Sequence, residues 1–188
     1  MPFYRNFLSH FHHTGAIAPS GPKLARHVVS SAGVSSGSHV LELGPGTGAF
    51  TRDLEKTLGP DGQYLGIEIN ADFHSHLQGK HPDMHFEQAP GQDFDFSAWV
   101  KEHGQFDIIV SGLPWAKFPE SLQRAMLDNV IPHLKDNGTF VTFAYTGVHL
   151  LKPAKRFRHL LDDYFTSVNR TRSVLLNFPP AFVFVANK

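Results

Sequence analysis

The chain has 188 residues, 41% hydrophobic and 12% aromatic, the size and composition of one folded domain around a single core. It contains no cysteine, which excludes disulfides, thiolate metal sites and a cysteine nucleophile. The formal net charge is zero but uneven, +3 over residues 1–41, −8 over 42–136 and +5 over 137–188. That pattern fits a solvated surface and an anionic partner near the termini equally well.

In chain order, MPFYRNFLSHFHH (residues 1–13) sets Phe3, Phe7, Leu8 and Phe11 on one face of a short amphipathic helix, with Arg5, His10, His12 and His13 elsewhere. SGPKLARHVVSSAG carries helix signals: Ser20 to cap, Pro22 in the first turn, Gly33 to stop. From residue 39, apolar β-branched runs alternate with helix-period segments, the pattern of βαβ units around a mainly parallel sheet. Strands are predicted over 39–44, 63–69, 84–88, 106–111, 138–145, 170–177 and 181–186, and helices over about 48–58, 71–78, 119–134 and 153–165. In the helix at 119–134, Leu122, Ala125, Met126, Val130 and Leu134 recur at helical spacing as a core-facing stripe. Only FPP separates the last two strands, so an antiparallel pair is expected, with Pro179 or Pro180 in the turn. There is no apolar signal-peptide run and no stretch of membrane-spanning length, and the chain reads as cytosolic.

The most informative stretch is HVLELGPGTGAFTRDL, residues 39–54. A strand running into a glycine turn and then a helix lets backbone approach a nucleotide-like ligand, and the helix start offers free N–H groups. With Ala49 in the last place the spacing also fits the dinucleotide pattern, so the glycines alone are weakly specific. Glu42, Leu43, Gly44, Pro45, Gly46, Thr47 and Gly48 together resemble motif I of class I methyltransferases. Glu42 stands where a carboxylate receives the ammonium of S-adenosylmethionine, directly or through water. Glu68, ending the second strand before Ile69, stands where an acid accepts both ribose hydroxyls, a placement shared with NAD enzymes.

A second stretch, IIVSGLPWAKFP, ends the fourth predicted strand at the ligand edge of such a sheet. It resembles motif IV of amine-directed methyltransferases, in which a turn presents a backbone carbonyl and a ring to the amine. Methyl transfer from a sulfonium is an in-line displacement that needs mainly alignment and exclusion of water. Ser111 and Gly112 would border the donor and Leu113 and Pro114 shape the turn, while Trp115 faces the cationic group by cation–π attraction. Tyr145 and His149, after the fifth strand, are the nearest candidates for a proton role.

GAIAPSGPKLARHVV, VLELGPGTGAFTRDL, FDIIVSGLPW and NFPPAFVFV together resemble the soluble bacterial phospholipid N-methyltransferases that act on phosphatidylethanolamine, a family similar to the ribosomal RNA adenine dimethyltransferases. The resemblance runs from about Phe7 to Val185. It implies a Rossmann-like α/β fold: a seven-stranded, mostly parallel sheet with an antiparallel last strand and helices on both faces. It implies S-adenosyl-L-methionine as cofactor, and an aminolipid such as phosphatidylethanolamine or ornithine lipid as substrate. It further implies peripheral attachment to anionic membrane on the cytoplasmic side. Residues 1–38 would then be a helical lid facing membrane or substrate, with Phe3, Arg5, Phe7, Phe11, Lys23 and Arg26 in contact, and residues 39–188 the methyltransferase domain.

Two departures stand out. Where adenine dimethyltransferases carry the motif IV asparagine, this chain has Gly112, which counts against an RNA base as substrate. Where such enzymes end the third strand in Gly-Asp-Ala, this chain has Gln88–Ala89–Pro90, leaving Ala89, Gln92 or Asp93 to meet the adenine. The rival readings are an RNA adenine N6-methyltransferase, a non-catalytic S-adenosylmethionine-binding module and, from the glycines alone, a dehydrogenase. The histidines of HFHH and HSH lack metal-ligand spacing, and no metal is expected.

Overall fold

A computed structural model describes residues 21–188. The amphipathic segment with Phe3, Arg5, Phe7, Leu8 and Phe11, and the proposed cap Ser20, lie outside the described residues. The strands are β1 (His39–Leu43), β2 (Gln63–Glu68), β3 (His85–Gln88), β4 (Phe106–Ser111), β5 (Leu134–Tyr145), β6 (Ser167–Arg170) and β7 (Ala181–Asn187). The helices are α1 (Pro22–Ser31), α2 (Thr51–Leu58), α3 (Ala71–Lys80), α4 (Phe96–His103), α5 (Glu120–Val130) and α6 (Lys152–Leu161).

The strands form one seven-stranded sheet in the order β3-β2-β1-β4-β5-β7-β6. β1 through β5 pair in parallel, and β7 runs antiparallel to both β5 and β6. All five residues of β1 are buried, as expected of a central strand covered on both faces. Alternation divides the core. Leu41, Leu65 and Ile109 pack with Met126 and Leu160 on one face, while Val40, Val110 and Val141 pack with Val28 and Leu54 on the other. The expected Rossmann-like fold with helices on both faces is therefore present. Its strand order reverses between β1 and β4, where such sheets open a crevice at the strand C-termini.

Three expectations are corrected. The predicted strand over 170–177 is confined to Ser167–Arg170, and residues 171–180 form a loop with a single bridge between Val174 and Ala181. The ladder is interrupted because the Thr171 hydroxyl accepts the Val183 N–H at 3.0 Å, a side-chain bond competing with strand pairing. The last two strands do pair antiparallel, but FPP is only the end of their connection. Second, α4 was not anticipated. Asp95 caps it by accepting from Ala98 N–H at 3.1 Å, and Gly104 ends it at φ 83°. Third, α5 stops at Val130, Leu134 already belongs to β5, and the helix buries Gln123 while Ala125 is exposed.

Gly66 on β2 shows how tightly side chains of the sheet itself pack on one face. A Cβ there would lie 2.6 Å from Phe86 Cδ1 and 2.7 Å from the Tyr64 hydroxyl. Gly66→Ala is therefore expected to cost about 1–3 kcal/mol through overpacking, read as a lower urea midpoint with an unchanged slope.

Candidate active site

β1 delivers Glu42 to the glycine loop from below. Its side chain is 0% exposed, and its Oε2 accepts the Thr51 hydroxyl at 2.8 Å and the Tyr64 hydroxyl at 2.6 Å. Its Oε1 is buried and has no hydrogen-bond partner among the described residues. Burial pushes the carboxyl up to about 7, against the two hydrogen bonds and with a further push from the charge of Glu68. The same burial, with the Glu42 charge, raises the Tyr64 phenol, which therefore stays a donor.

Glu68, at the end of β2, is 3% exposed and points back to the loop: its Oε2 accepts Gly46 N–H at 2.9 Å and its Oε1 accepts Asn70 N–H at 2.8 Å. Asn70 in turn caps α3 by accepting from Asp72 and Phe73 N–H. Gly46 has φ 58°, and a Cβ built on it would meet open space, so the loop backbone presents an uncovered face. Pro45 is buried beside it and Thr47 is exposed.

The acceptor turn meets this loop by backbone contact. A Cβ on Gly112 would lie 2.8 Å from the Gly44 carbonyl oxygen, and Gly112 N–H donates to Leu43 O at 2.9 Å. Gly44 has φ 70° and looks onto the Leu113 side chain. Glycine at 112, read in the sequence as a missing asparagine, is thus what lets β1 and β4 end in contact.

The turn itself is held from inside. Ser111 is 0% exposed, and its hydroxyl accepts Trp115 Nε1–H at 2.9 Å and Leu113 N–H at 3.3 Å. Thr142 donates to the Ser111 carbonyl at 3.1 Å. Gln123, absent from the sequence-derived candidates, is 0% exposed and donates through Nε2 to Trp115 O at 2.6 Å and Phe118 O at 3.2 Å, while its Oε1 has no described partner. Its one signal in the sequence was a polar residue inside an apolar stripe. Thr51, Tyr64 and Asn70 were missed as well, since nothing local marks a hydroxyl or amide as the partner of a distant group.

Two expected roles change. Trp115 does not stand open to an amine: it is 3% exposed, stacked on Phe157 at 4.9 Å and 11°, and tied to Ser111. A large ring beside β4 gains more from burial than from the cleft edge. The Ser111 hydroxyl, expected beside the donor, is likewise committed to the turn. Leu43, Glu68, Ile69 and Ala89 gather at the β1–β2 edge, where Ala89 N–H donates to Glu68 O at 3.2 Å. Tyr145 is partly buried on β5, edge-on to Phe143 at 5.5 Å, and burial raises its phenol. Lys23 and Arg26 lie exposed on α1.

These residues fit S-adenosylmethionine. A buried carboxylate oxygen without a donor suits an ammonium or its bound water, a second carboxylate flanks the loop, and the backbone at Gly46 is open to a ligand. Glu42 gives a test by titration. A folded-state value of about 7 against the ordinary 4.5 means that its contribution to stability is full below about 4.5 and is lost as pH rises through about 7. Donor binding that meets Glu42 with a positive charge favours the carboxylate and should release up to about one proton near pH 6. Calorimetry in buffers of different ionisation enthalpy measures that release, which Glu42→Gln should abolish. For the turn, Gln123→Leu removes the buried side-chain donor that the Trp115 and Phe118 carbonyls share, at an expected cost of about 1–3 kcal/mol in stability. Donor affinity, by the same calorimetry, should be unchanged while single-turnover transfer slows.

The model of a methyltransferase domain family matches residues 40–138, which take in the glycine loop, Glu68 and the acceptor turn. The chain is 32% identical over 141 residues to an ornithine lipid N-methyltransferase of Singulisphaera acidiphila, covering 73% of each chain. It is 30% identical over 96 residues to ribosomal RNA small subunit methyltransferase A of Acidithiobacillus ferrooxidans, covering 50% of this chain and 34% of that one. Its fold matches that of a TehB-like SAM-dependent methyltransferase of Corynebacterium glutamicum at a TM-score of 0.65, with 16% identity over 100% of both chains. With a paired-carboxylate glycine loop at the switch point of this sheet, and a family match spanning that loop, the chain belongs to the class I S-adenosylmethionine-dependent methyltransferases.

Proposed function

We propose that the chain methylates the amine of a membrane aminolipid headgroup, either ornithine lipid or phosphatidylethanolamine. The observation that carries this reading is the likeness to an ornithine lipid N-methyltransferase over 73% of the chain. The acceptor turn supports it. Gly112 offers no side-chain amide to a nucleobase and is packed against Gly44, whereas a primary amine needs only a carbonyl acceptor and room for in-line approach.

S-adenosylmethionine supplies a methyl group activated on sulfonium. Glu42 and Glu68, with the Gly44–Gly48 backbone, would hold the donor's ammonium and ribose. Gln123 and Ser111 would keep the turn rigid, with the Leu113 carbonyl, which already accepts Trp115 N–H at 3.0 Å, offering a second lone pair to the amine. Trp115 then acts as a positioning residue. The headgroup ammonium must give its proton to solvent before attack, and Tyr145, kept neutral by its raised phenol, is the side chain whose hydroxyl oxygen we assign to accepting a hydrogen bond from the neutral amine.

The substrate's location calls for a peripheral membrane protein on the cytoplasmic face. Among the described residues no helix is long and apolar enough to cross a membrane. Attachment would come from basic ends and from the aromatic segment with Phe3, Arg5, Phe7 and Phe11. Labelled donor offered with ornithine lipid, phosphatidylethanolamine and unmethylated small-subunit ribosomal RNA tests the reading. Label is expected in a lipid fraction and lost with Glu68→Ala, whose donor affinity should fall by about 1–3 kcal/mol. Label confined to RNA would establish the alternative, an adenine N6-methyltransferase.

A further inference from the structure

The loop joining β6 to β7 exposes three large apolar side chains, Leu175 and Leu176 at 75% and Phe178 at 93%. They are not loose. Asn177, in their midst, is 6% exposed and turned inward, where its Oδ1 accepts Gly21 N–H at 3.1 Å and its Nδ2 donates to Pro179 O at 2.7 Å. Gly21 is the residue at which α1 begins, so Asn177 ties the loop to the start of that helix from the far end of the chain. An inward anchor flanked by outward apolar groups holds those groups away from the core.

The position of the loop matters. β7 starts at Ala181 opposite Tyr145, the last residue of β5, and β5 runs parallel to β4, which ends in the acceptor turn. Thr146 N–H donates to Pro180 O at 2.7 Å and joins the loop to the segment after β5. That segment exposes Val148, Leu150 and Leu151 at 43%, 61% and 58%. Six large apolar side chains thus share the edge of the sheet that carries the glycine loop and the acceptor turn. A patch of that kind marks a binding surface.

Charge selects the partner. Lys23 and Arg26 on α1, Lys152 and Lys155 on α6, and Arg172 beside the loop are all exposed. No Asp or Glu occurs within residues 21–41, 137–161 or 164–188. Apolar tips on stretches of chain that carry exposed cations and no acids match a bilayer, which offers hydrocarbon just beneath a layer of anionic phosphates.

We propose that the β6–β7 loop is a membrane-insertion loop: Leu175, Leu176 and Phe178 enter the headgroup–acyl boundary of an anionic bilayer, with Asn177 fixing their direction. The crevice edge of the sheet then faces the lipid. The inference deepens the aminolipid reading and rests on it for its purpose, though not for its observations. It adds a second membrane contact, on residues 175–178, to the one proposed for the aromatic segment.

The test uses the full chain with vesicles of phosphatidylcholine, with and without phosphatidylglycerol. The triple variant Leu175→Ser, Leu176→Ser, Phe178→Ser should lose about tenfold or more in partitioning to the anionic vesicles. Its thermal unfolding and donor affinity should match the parent, because the three side chains are already in water. Phe178→Trp should show a blue-shifted emission increment on anionic vesicles and quenching by brominated acyl chains. Unchanged sedimentation of the triple variant would overturn the proposal. So would a dimer in light scattering that the triple variant dissolves, since the patch would then bind a second copy. Aminolipid labelling in detergent micelles separates the two ideas. A triple variant that labels lipid normally yet partitions like the parent sinks the loop alone. Insertion without any lipid labelling sinks the substrate reading alone.

Discussion

Two backbones meet where β1 and β4 end, with the Gly44 carbonyl so close to Gly112 that a single Cβ there would lie 2.8 Å from it. Much of the site depends on that approach. It brings the glycine loop and the turn after β4 together at the switch point by main chain rather than by mobile side chains. For a displacement that gains chiefly from alignment, rigid backbone on both sides is the useful arrangement. The absence of an asparagine side chain at 112 is then a consequence of packing.

Around this contact the protein places polar groups in dry surroundings. Glu42 and Gln123 are both fully buried, each satisfied at one atom and unsatisfied at another. Buried polar networks are strong when complete and costly when partial. The free oxygen of Glu42 belongs to the strand that leads into the glycine loop, and under the proposed reading an ammonium or a water would complete it. Gln123 fastens two turn carbonyls to α5, so the helix that covers the core also sets the shape of the acceptor turn. Trp115 belongs to the same construction: its ring fills the core against Phe157, while its indole N–H and its carbonyl are tied to Ser111 and Gln123.

The outer edge follows a different logic. Apolar tips on residues 148–151 and 175–178 lie beside exposed cations, in regions of chain without acids. The acids are gathered in residues 42–136, which include the donor site. A cationic donor and an anionic membrane would thus be drawn to different stretches of the chain.

Strand and helix alternation, the glycine loop, Glu68 and the acceptor turn were legible in the sequence because each is governed by local rules. Positive φ requires glycine, β-branched runs favour strands, and the site must fall at strand C-termini. The limits of the reading were equally physical. α4 was missed although Asp95 and Gly104 bracket it, because eight residues carry too little periodicity to stand out. RTRSVLLN has the composition of a strand, yet its ladder is broken by the Thr171 hydroxyl, a choice made only when β7 is in place. On α5, helical spacing cannot say that Gln123 enters the core while Ala125 stays out. Whether the Trp115 ring faces a substrate or Phe157, and whether Leu175, Leu176 and Phe178 turn in or out around Asn177, depends on partners more than twenty residues away. Local sterics and propensity set the elements and the glycine loop; the orientation of each side chain was decided by long-range contacts that no short stretch of sequence contains.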